Sequence, residues 1–456
     1  WSNETQMLNE YYRNGLVFLL ELEGGRSGQK LCPEDIRKKI TDEYIKQNFR
    51  EPAKELVGHS NIGTNASEKD ILKNLKKYFE ISSNSSEILG ASFFNTRNGK
   101  CTYCGKEGEV FLNRPYVFPF ERKIDSIAPE EARVQFCKQC GFIIYSGMAN
   151  LYQKGIVEFF FDSQNMEYIK KINTRFRQLR DPSNFNKIQK FGIGVYFPHE
   201  TIFVTFFEFL KYIYRKNLIK EIEEVIRSVR IVLVAGTGQI YIQSYVEGNI
   251  LDKMAKFFLE LIRESMKFWS EMDEEKKKKV HMAPEELIFS GFFVYLSIDK
   301  GDMRENDRLR EEFTVGLLNG KMDFITLNCI IMERLKRNEK VVVPYYYLTF
   351  VRKFMEVFGL EKEMFEKING LGYALGKQMK GTNLENFVWD IFRARGAEQF
   401  YNSLVELQAK LEISIDLRPI NEYEKGWREA KAILLNGMLN ALYGESVTEV
   451  DKNVRE

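Results

Sequence analysis

Two Cys-x-x-Cys pairs, Cys101-Thr-Tyr-Cys104 and Cys137-Lys-Gln-Cys140, constrain this chain more than any other feature. Each pair is followed by glycine, at Gly105 and Gly141. Four thiolates in two tight knuckles are the ligand set of a tetrahedral zinc ion, which binds sulfur at about 2.3 Å. The glycines supply the left-handed or close-approach backbone that a knuckle requires. Between Cys104 and Cys137 lie 32 residues, more than the usual zinc-ribbon spacing of about 15–20. The pairs are therefore expected to bracket a small inserted element within a module over residues 95–150.

Other chemistries use the same residues. An iron–sulfur cluster also takes four cysteines. Two disulfides need an oxidising compartment, and a redox-active pair belongs in a thioredoxin-like βαβ setting that the flanking sequence lacks. Structural Zn2+ is the expected cofactor. A four-cysteine site has no open coordination position, so it folds a module and leaves nothing for a substrate to bind.

A length of 456 residues exceeds one compact core, so two or three domains are expected. Lys and Arg total 67 against 65 Asp and Glu, so any pull toward nucleic acid must come from local patches. Aromatic residues at 14% can fill cores or stack on bases. Six cysteines, four of them in the paired motif, and no secretory leader lead to the expectation of a reducing cytoplasm. Cys32 and Cys329 read as plain buried or half-buried thiols. No apolar run reaches the roughly 20 residues of a membrane span. Few prolines with abundant Lys and Glu suit a thermophile.

Along the chain, Glu4–Leu20 and Pro33–Asn48 read as helices, and Val110–Phe120 as a hairpin. Gly155–Phe161, Gly194–Phe197, Ile202–Phe206 and Arg230–Ala235 are strand-like, rich in β-branched and aromatic residues. After about residue 250 the pattern is helical. Met254, Phe257, Phe258, Leu261 and Ile262 keep helical spacing, as do Tyr347, Val351, Phe354 and Phe358 before Gly359. The predicted fold is an α+β domain over 1–300 carrying the inserted four-cysteine zinc module, then an all-α helical bundle over 301–456, with the boundary near 299–303.

Catalytic motifs are thin, and a non-enzyme is expected. His59, His199 and His281 are not at metal-ligand spacing. Gly236-Thr-Gly238 lacks the rest of a phosphate-binding fingerprint and reads as a tight turn. His199, after Pro198, reads as a turn residue between strands. The basic, Asn-rich stretch from 173 to 190 is the first nucleic-acid candidate. Arg175, Arg177, Arg180, Lys187 and Lys190 could neutralise phosphates. Asn173, Asn184 and Asn186 could read base edges. The bland alternative is a polar connector. Lys377, Lys380, Arg393 and Arg395 form a second candidate, whose alternative is a solvated helix face.

This order of elements resembles the CxxC–CxxC large subunits of type I CRISPR–Cas surveillance (Cascade) complexes. The resemblance is carried by the two cysteine pairs a quarter of the way along, the aromatic Lys- and Asn-rich α+β body they interrupt, and the helical C-terminal part. It implies a subunit at the foot of the complex, beside the 5′ handle of the guide RNA and against other Cascade subunits. Such a subunit contacts the protospacer-adjacent motif in double-stranded DNA, helps open the duplex and recruits a helicase–nuclease in trans. Its C-terminal helices resemble a separate small subunit. Guide pairing supplies sequence readout in such machines, so the protein needs only a short motif contact and a strand channel. The alternatives are a stand-alone zinc-containing nucleic-acid-processing enzyme or a zinc-ribbon scaffold of another ribonucleoprotein.

Overall fold

A computed structural model describes residues 3–23, 96–112, 135–150, 152–154, 157–177, 198–237, 240–280, 282–296, 304–337 and 344–443. Among these the protein is mostly helical, with two small antiparallel sheets and a cysteine cluster. The first half of the chain holds α1 (Asn3–Glu23), α2 (Lys138–Ser146), α3 (Met166–Arg177), α4 (Pro198–Arg215) and α5 (Ile219–Ser228). The helices after it are α6 (Gly248–Glu271), α7 (Glu274–Lys279), α8 (Leu287–Leu296), α9 (Arg304–Leu318) and α10 (Phe324–Lys336). The last six are α11 (Pro344–Phe358), α12 (Lys362–Met379), α13 (Phe387–Arg393), α14 (Ala397–Leu411), α15 (Arg418–Asn421) and α16 (Trp427–Tyr443). Strands β1 (Thr96–Lys100), β2 (Glu107–Leu112) and β3 (Gln135–Cys137) form one sheet. Strands β4 (Tyr152–Lys154), β5 (Val157–Asp162), β6 (Arg230–Thr237) and β7 (Ile240–Val246) form the other, in that order.

Two compact units are present. One is Trp1–Phe185 with Asn217–Asp252, the other Asn186–Lys216 with Lys253–Glu456. This differs from a single cut near 300, a position that itself lies outside the described residues. The reason is in the packing. From Lys253 onward α6 is committed to the helical unit, where Phe257 meets the rings of Phe350 and Phe354 on α11 at 5.0 and 5.2 Å.

In the first unit, α3 lays Ile169, Ile172 and Phe176 on the four-stranded sheet. Phe176 sits edge-on to Phe159 and Phe161 of β5 at 5.8 and 5.1 Å. Helix α1 runs from Asn3 to Glu23, wider than the predicted Glu4–Leu20, and packs its backbone on α2. A Cβ on Gly15 would stand 1.7 Å from the carbonyl oxygen of Ile143, so only glycine permits this approach. The predicted helix Pro33–Asn48, the strand Gly194–Phe197 and most of the predicted 110–120 hairpin lie outside the described residues.

In the second unit every described element is helical. Its core is aromatic: Phe207 stacks on Phe289 and Phe292 on Phe350, each at 3.7 Å. The predicted strand Ile202–Phe206 is instead the middle of α4. Pro198 opens the helix, where its missing N–H is harmless, and Ile202, Phe203, Val204, Phe206 and Phe207 are all buried. His199 is accordingly a first-turn helix residue and not a turn between strands. The Glu311 carboxylate accepts the backbone N–H groups of His199 and Glu200 at 3.0 and 3.1 Å, and meets the His199 ring at 2.6 Å. One residue on, Arg310 donates two hydrogen bonds to the buried Glu200 carboxylate at 3.0 and 3.1 Å. Both predicted helical faces hold: Met254, Phe257, Phe258, Leu261 and Ile262 are buried, and Gly359 ends α11 with φ +68°. There Leu360 N–H reaches Met355 C=O at 2.9 Å, a helix stop that needs a left-handed residue.

Candidate metal centre

The first cysteine pair is a knuckle at the tip of a hairpin. Strands β1 and β2 pair from Thr96↔Phe111 to Lys100↔Glu107, which leaves residues 101–106 to turn the chain. Cys101 N–H donates to Lys106 C=O and Gly105 N–H to Cys101 C=O, both at 2.9 Å. Gly105 has φ +70°, the left-handed conformation expected of it. Strand β3 then pairs with β2 and ends at Cys137, opposite Val110. Gln135 stitches β3 to the knuckle: its backbone carbonyl accepts Thr102 N–H at 2.8 Å, and its side-chain amide donates to Lys100 C=O at 2.9 Å.

The second pair is built differently from the expected twin knuckle. Cys137 closes β3, and Cys140 lies in the first turn of α2, where Gly141 is helical. The backbone N–H of Cys140, in the first turn of α2, hydrogen-bonds the Cys137 sulfur, a contact that favours its thiolate.

All four sulfurs lie within 4.8 Å of one another, and Cys104 Sγ stands 3.7 Å from Cys137 Sγ. A tetrahedral ion with sulfurs at about 2.3 Å holds them about 3.8 Å apart. The donor set therefore fits a single metal ion, and four cysteines here could hold one. Cys101 and Cys140 are buried, Cys137 is half-buried and Cys104 is exposed. Hydrogen bonds with Cys137 and Cys140 hold the Cys101 thiol far below the usual thiol range. Cys101 in turn pushes Cys137 and Cys140 above it. The Cys101 proton leaves readily, while Cys137 and Cys140 release theirs when a cation balances the charge. Metal affinity must therefore rise with pH.

The surroundings of the centre were not legible as a motif. Tyr103, inside the knuckle, stacks on Tyr12 of α1 at 5.0 Å. Next to Tyr12 on the helix, Arg13 donates to both oxygens of Asp162 on β5, at 2.8 and 2.6 Å. Arg230 of β6 donates to Asp162 at 3.2 Å and to Glu10 of α1, and its guanidinium lies 4.7 Å over the Tyr245 ring. Two buried carboxylates thus face two half-buried guanidiniums. Among the described residues, the second oxygen of Glu10 and the hydroxyl of Tyr103 are buried without hydrogen-bond partners.

Burial, then the Asp162 charge, push Glu10 up to about 7. A carboxyl raised above its unfolded value stabilises the fold fully below about pH 4.5, and that contribution is lost as pH rises through about 7. Full loss is worth about 3 kcal/mol. Glu10→Gln should therefore flatten the fall in first-unit stability between pH 5 and pH 8. Metal binding strengthens with pH in both proteins, so the difference between their urea-unfolding curves isolates Glu10. Parallel pH profiles would show that Glu10 does not titrate in this window.

The two predicted nucleic-acid stretches fare differently. Asn173 is not a reading head: it is buried on α3 and donates to the Asn14 side chain at 3.0 Å, while Asn14 donates to Phe161 C=O at 3.0 Å. The spacing Ile169, Ile172, Asn173, Phe176 places it on the buried face. Arg175 is half-exposed and pairs with Glu221 at 3.1 Å. Arg177 ends α3. Arg180, Asn184, Asn186, Lys187 and Lys190 lie outside the described residues. In the helical unit Lys377, Lys380, Arg393 and Arg395 are all exposed. Lys377 stands over Tyr373 and Arg393 over Trp389, at 5.1 and 5.8 Å. His59, His281, Cys32 and Gly238 fall outside the described residues, while Gly236 and Thr237 are the last residues of β6.

The chain matches no protein-family model, no curated protein and no solved structure. Among the described residues no helix is long and apolar enough to cross a membrane.

Proposed function

We propose that this chain is the non-catalytic large subunit of a type I CRISPR surveillance complex, with one structural Zn2+ on Cys101, Cys104, Cys137 and Cys140. The observation that carries the reading is the closed four-thiol centre, built into a hairpin–strand–helix module of a mixed unit in a chain whose second unit is helical. Zinc suits it because four sulfurs gather at the spacing of a single ion, whereas a cluster distributes its cysteines over several irons. In this role the subunit touches the protospacer-adjacent motif in duplex DNA, helps strand opening and recruits a helicase–nuclease. The pairs Lys377/Tyr373 and Arg393/Trp389, exposed cations over half-buried rings, have the chemistry that tracks a backbone and stacks on bases.

The test is affinity purification of the tagged chain from its native host, with sequencing of bound RNA. Short RNAs sharing one constant 5′ tag, in stoichiometric company with partner subunits, are expected. A clean monomer without RNA contradicts the reading. Within the assembled complex, Arg175→Ala with Arg177→Ala should weaken binding of motif-containing duplex by about tenfold at moderate salt, since two phosphate contacts are lost. Unchanged binding removes α3 from the DNA surface.

A further inference from the structure

Helix α1 touches the metal module on one side and the four-stranded sheet on the other, and the two contacts differ in kind. Toward the sheet it offers polar contacts: Arg13 to Asp162, Glu10 to Arg230, and the Asn14 amide to Phe161 C=O. Buried ion pairs roughly break even against their desolvation, so this side fixes register more than it holds the helix down. Toward the module it offers packing. The Tyr12 ring lies on Tyr103 with planes 19° apart, and the backbone at Gly15 is seated against Ile143 and Gly147. Both module surfaces depend on the ligands. Tyr103 sits between Cys101 and Cys104, and Ile143 lies one turn beyond Cys140 on α2. An ion that pulls four sulfurs together fixes the knuckle against the start of α2, and with them the seat of α1.

We propose that α1 is a metal-set latch: occupation of the four-thiol centre holds α1 on the sheet, and removal of the ion releases it while β5 and β6 stay paired. The proposal rests on the centre carrying a metal. It goes beyond structural support, because it assigns to the ion the placement of a helix distant in sequence from all four ligands. A released α1 uncovers Asp162 and Arg230, whose charges it otherwise covers.

The test is hydrogen exchange of the full chain, with metal content measured beside it, before and after a chelator. Exchange at Val17–Leu20 should rise by about tenfold or more, the loss expected when the ring pair and its packing are removed. Amides of the β5–β6 ladder and of α12 and α16 should not change. Tyr12→Ala should keep full metal content, show fast α1 exchange already, and respond little to chelator. If the chain binds no metal, both the metal reading and the latch fail. If metal is bound and removed without change at α1, the latch alone fails. Simultaneous opening of the β5–β6 ladder would also overturn it, since the ion would then hold the whole unit.

Discussion

Gly437→Ala should destabilise the helical unit by about 3 kcal/mol, although alanine is the better helix former by about 1 kcal/mol. Helices α12 and α16 cross backbone to backbone. A Cβ on Gly437 would stand 2.2 Å from Asn369 C=O, one on Gly372 would stand 2.0 Å from Leu434 C=O, and one on Gly376 would stand 2.6 Å from Met438 C=O. These obstacles are helix carbonyls, which cannot swing aside as a side-chain tip would. The helices must separate, and a buried amide ladder lies in the seam. Asn369 reaches Asn436 at 3.4 Å, Asn436 reaches Asn328 at 3.2 Å, and Asn328 donates to Ala432 C=O at 2.7 Å. Each buried amide left without a partner costs about 1–3 kcal/mol, which outweighs the propensity gain. Gly370, on the same helix, is the internal control. A Cβ there meets nothing within 4 Å, so Gly370→Ala should stabilise by up to about 1 kcal/mol. Urea unfolding of both variants decides; equal midpoints would show that the crossing is not glycine-dependent.

Cys101→Ser should abolish metal binding and cost the metal module, with the α1 seated on it, about 5 kcal/mol or more. Structural zinc in isolated fingers is worth about 10–16 kcal/mol, and domains are stable by only about 5–15. β5, β6 and α3 have a core of their own, so the loss should stay within the module and α1 while the four-stranded sheet remains paired. Serine matches cysteine in size, so the loss is one of ligation. The hydroxyl is not a thiolate at neutral pH, and the site is left one ligand short. A chelator should reproduce the effect in the unsubstituted chain and add nothing to the variant. Equal unfolding midpoints with and without the substitution would show that the centre does not support the fold.

Local chemistry made the centre legible, and non-local packing hid the rest. Four cysteines at two-residue spacing announce one ligand set whatever surrounds them, and the left-handed Gly105 follows from the knuckle alone. Gly141 was misread because the second pair runs from a strand into α2, and a helix start presents two sulfurs as well as a turn does. The run Ile202–Phe206 looked like a strand because a helix buried all round has no polar face to reveal its period. Pro198 and Glu200 in the first turn were the available signals. Asn173 was misjudged by residue type, when its spacing with Ile169, Ile172 and Phe176 already placed it inward. Tyr12, Arg13 and Glu10 meet the knuckle and sheet from more than eighty residues away, and nothing local marks them. The division into units was equally hidden, because the chain leaves the first unit after Phe185 and rejoins it at Asn217.

The central claim is a closed, single-ion tetrathiolate centre, and metal analysis of the purified full chain tests it most directly. Elemental analysis should find one zinc per chain, absent from Cys101→Ser, and cobalt exchanged into the site should show the intense absorption of a tetrahedral thiolate complex. A chain that carries no metal, or one that carries iron with a cluster's visible spectrum, would contradict the account.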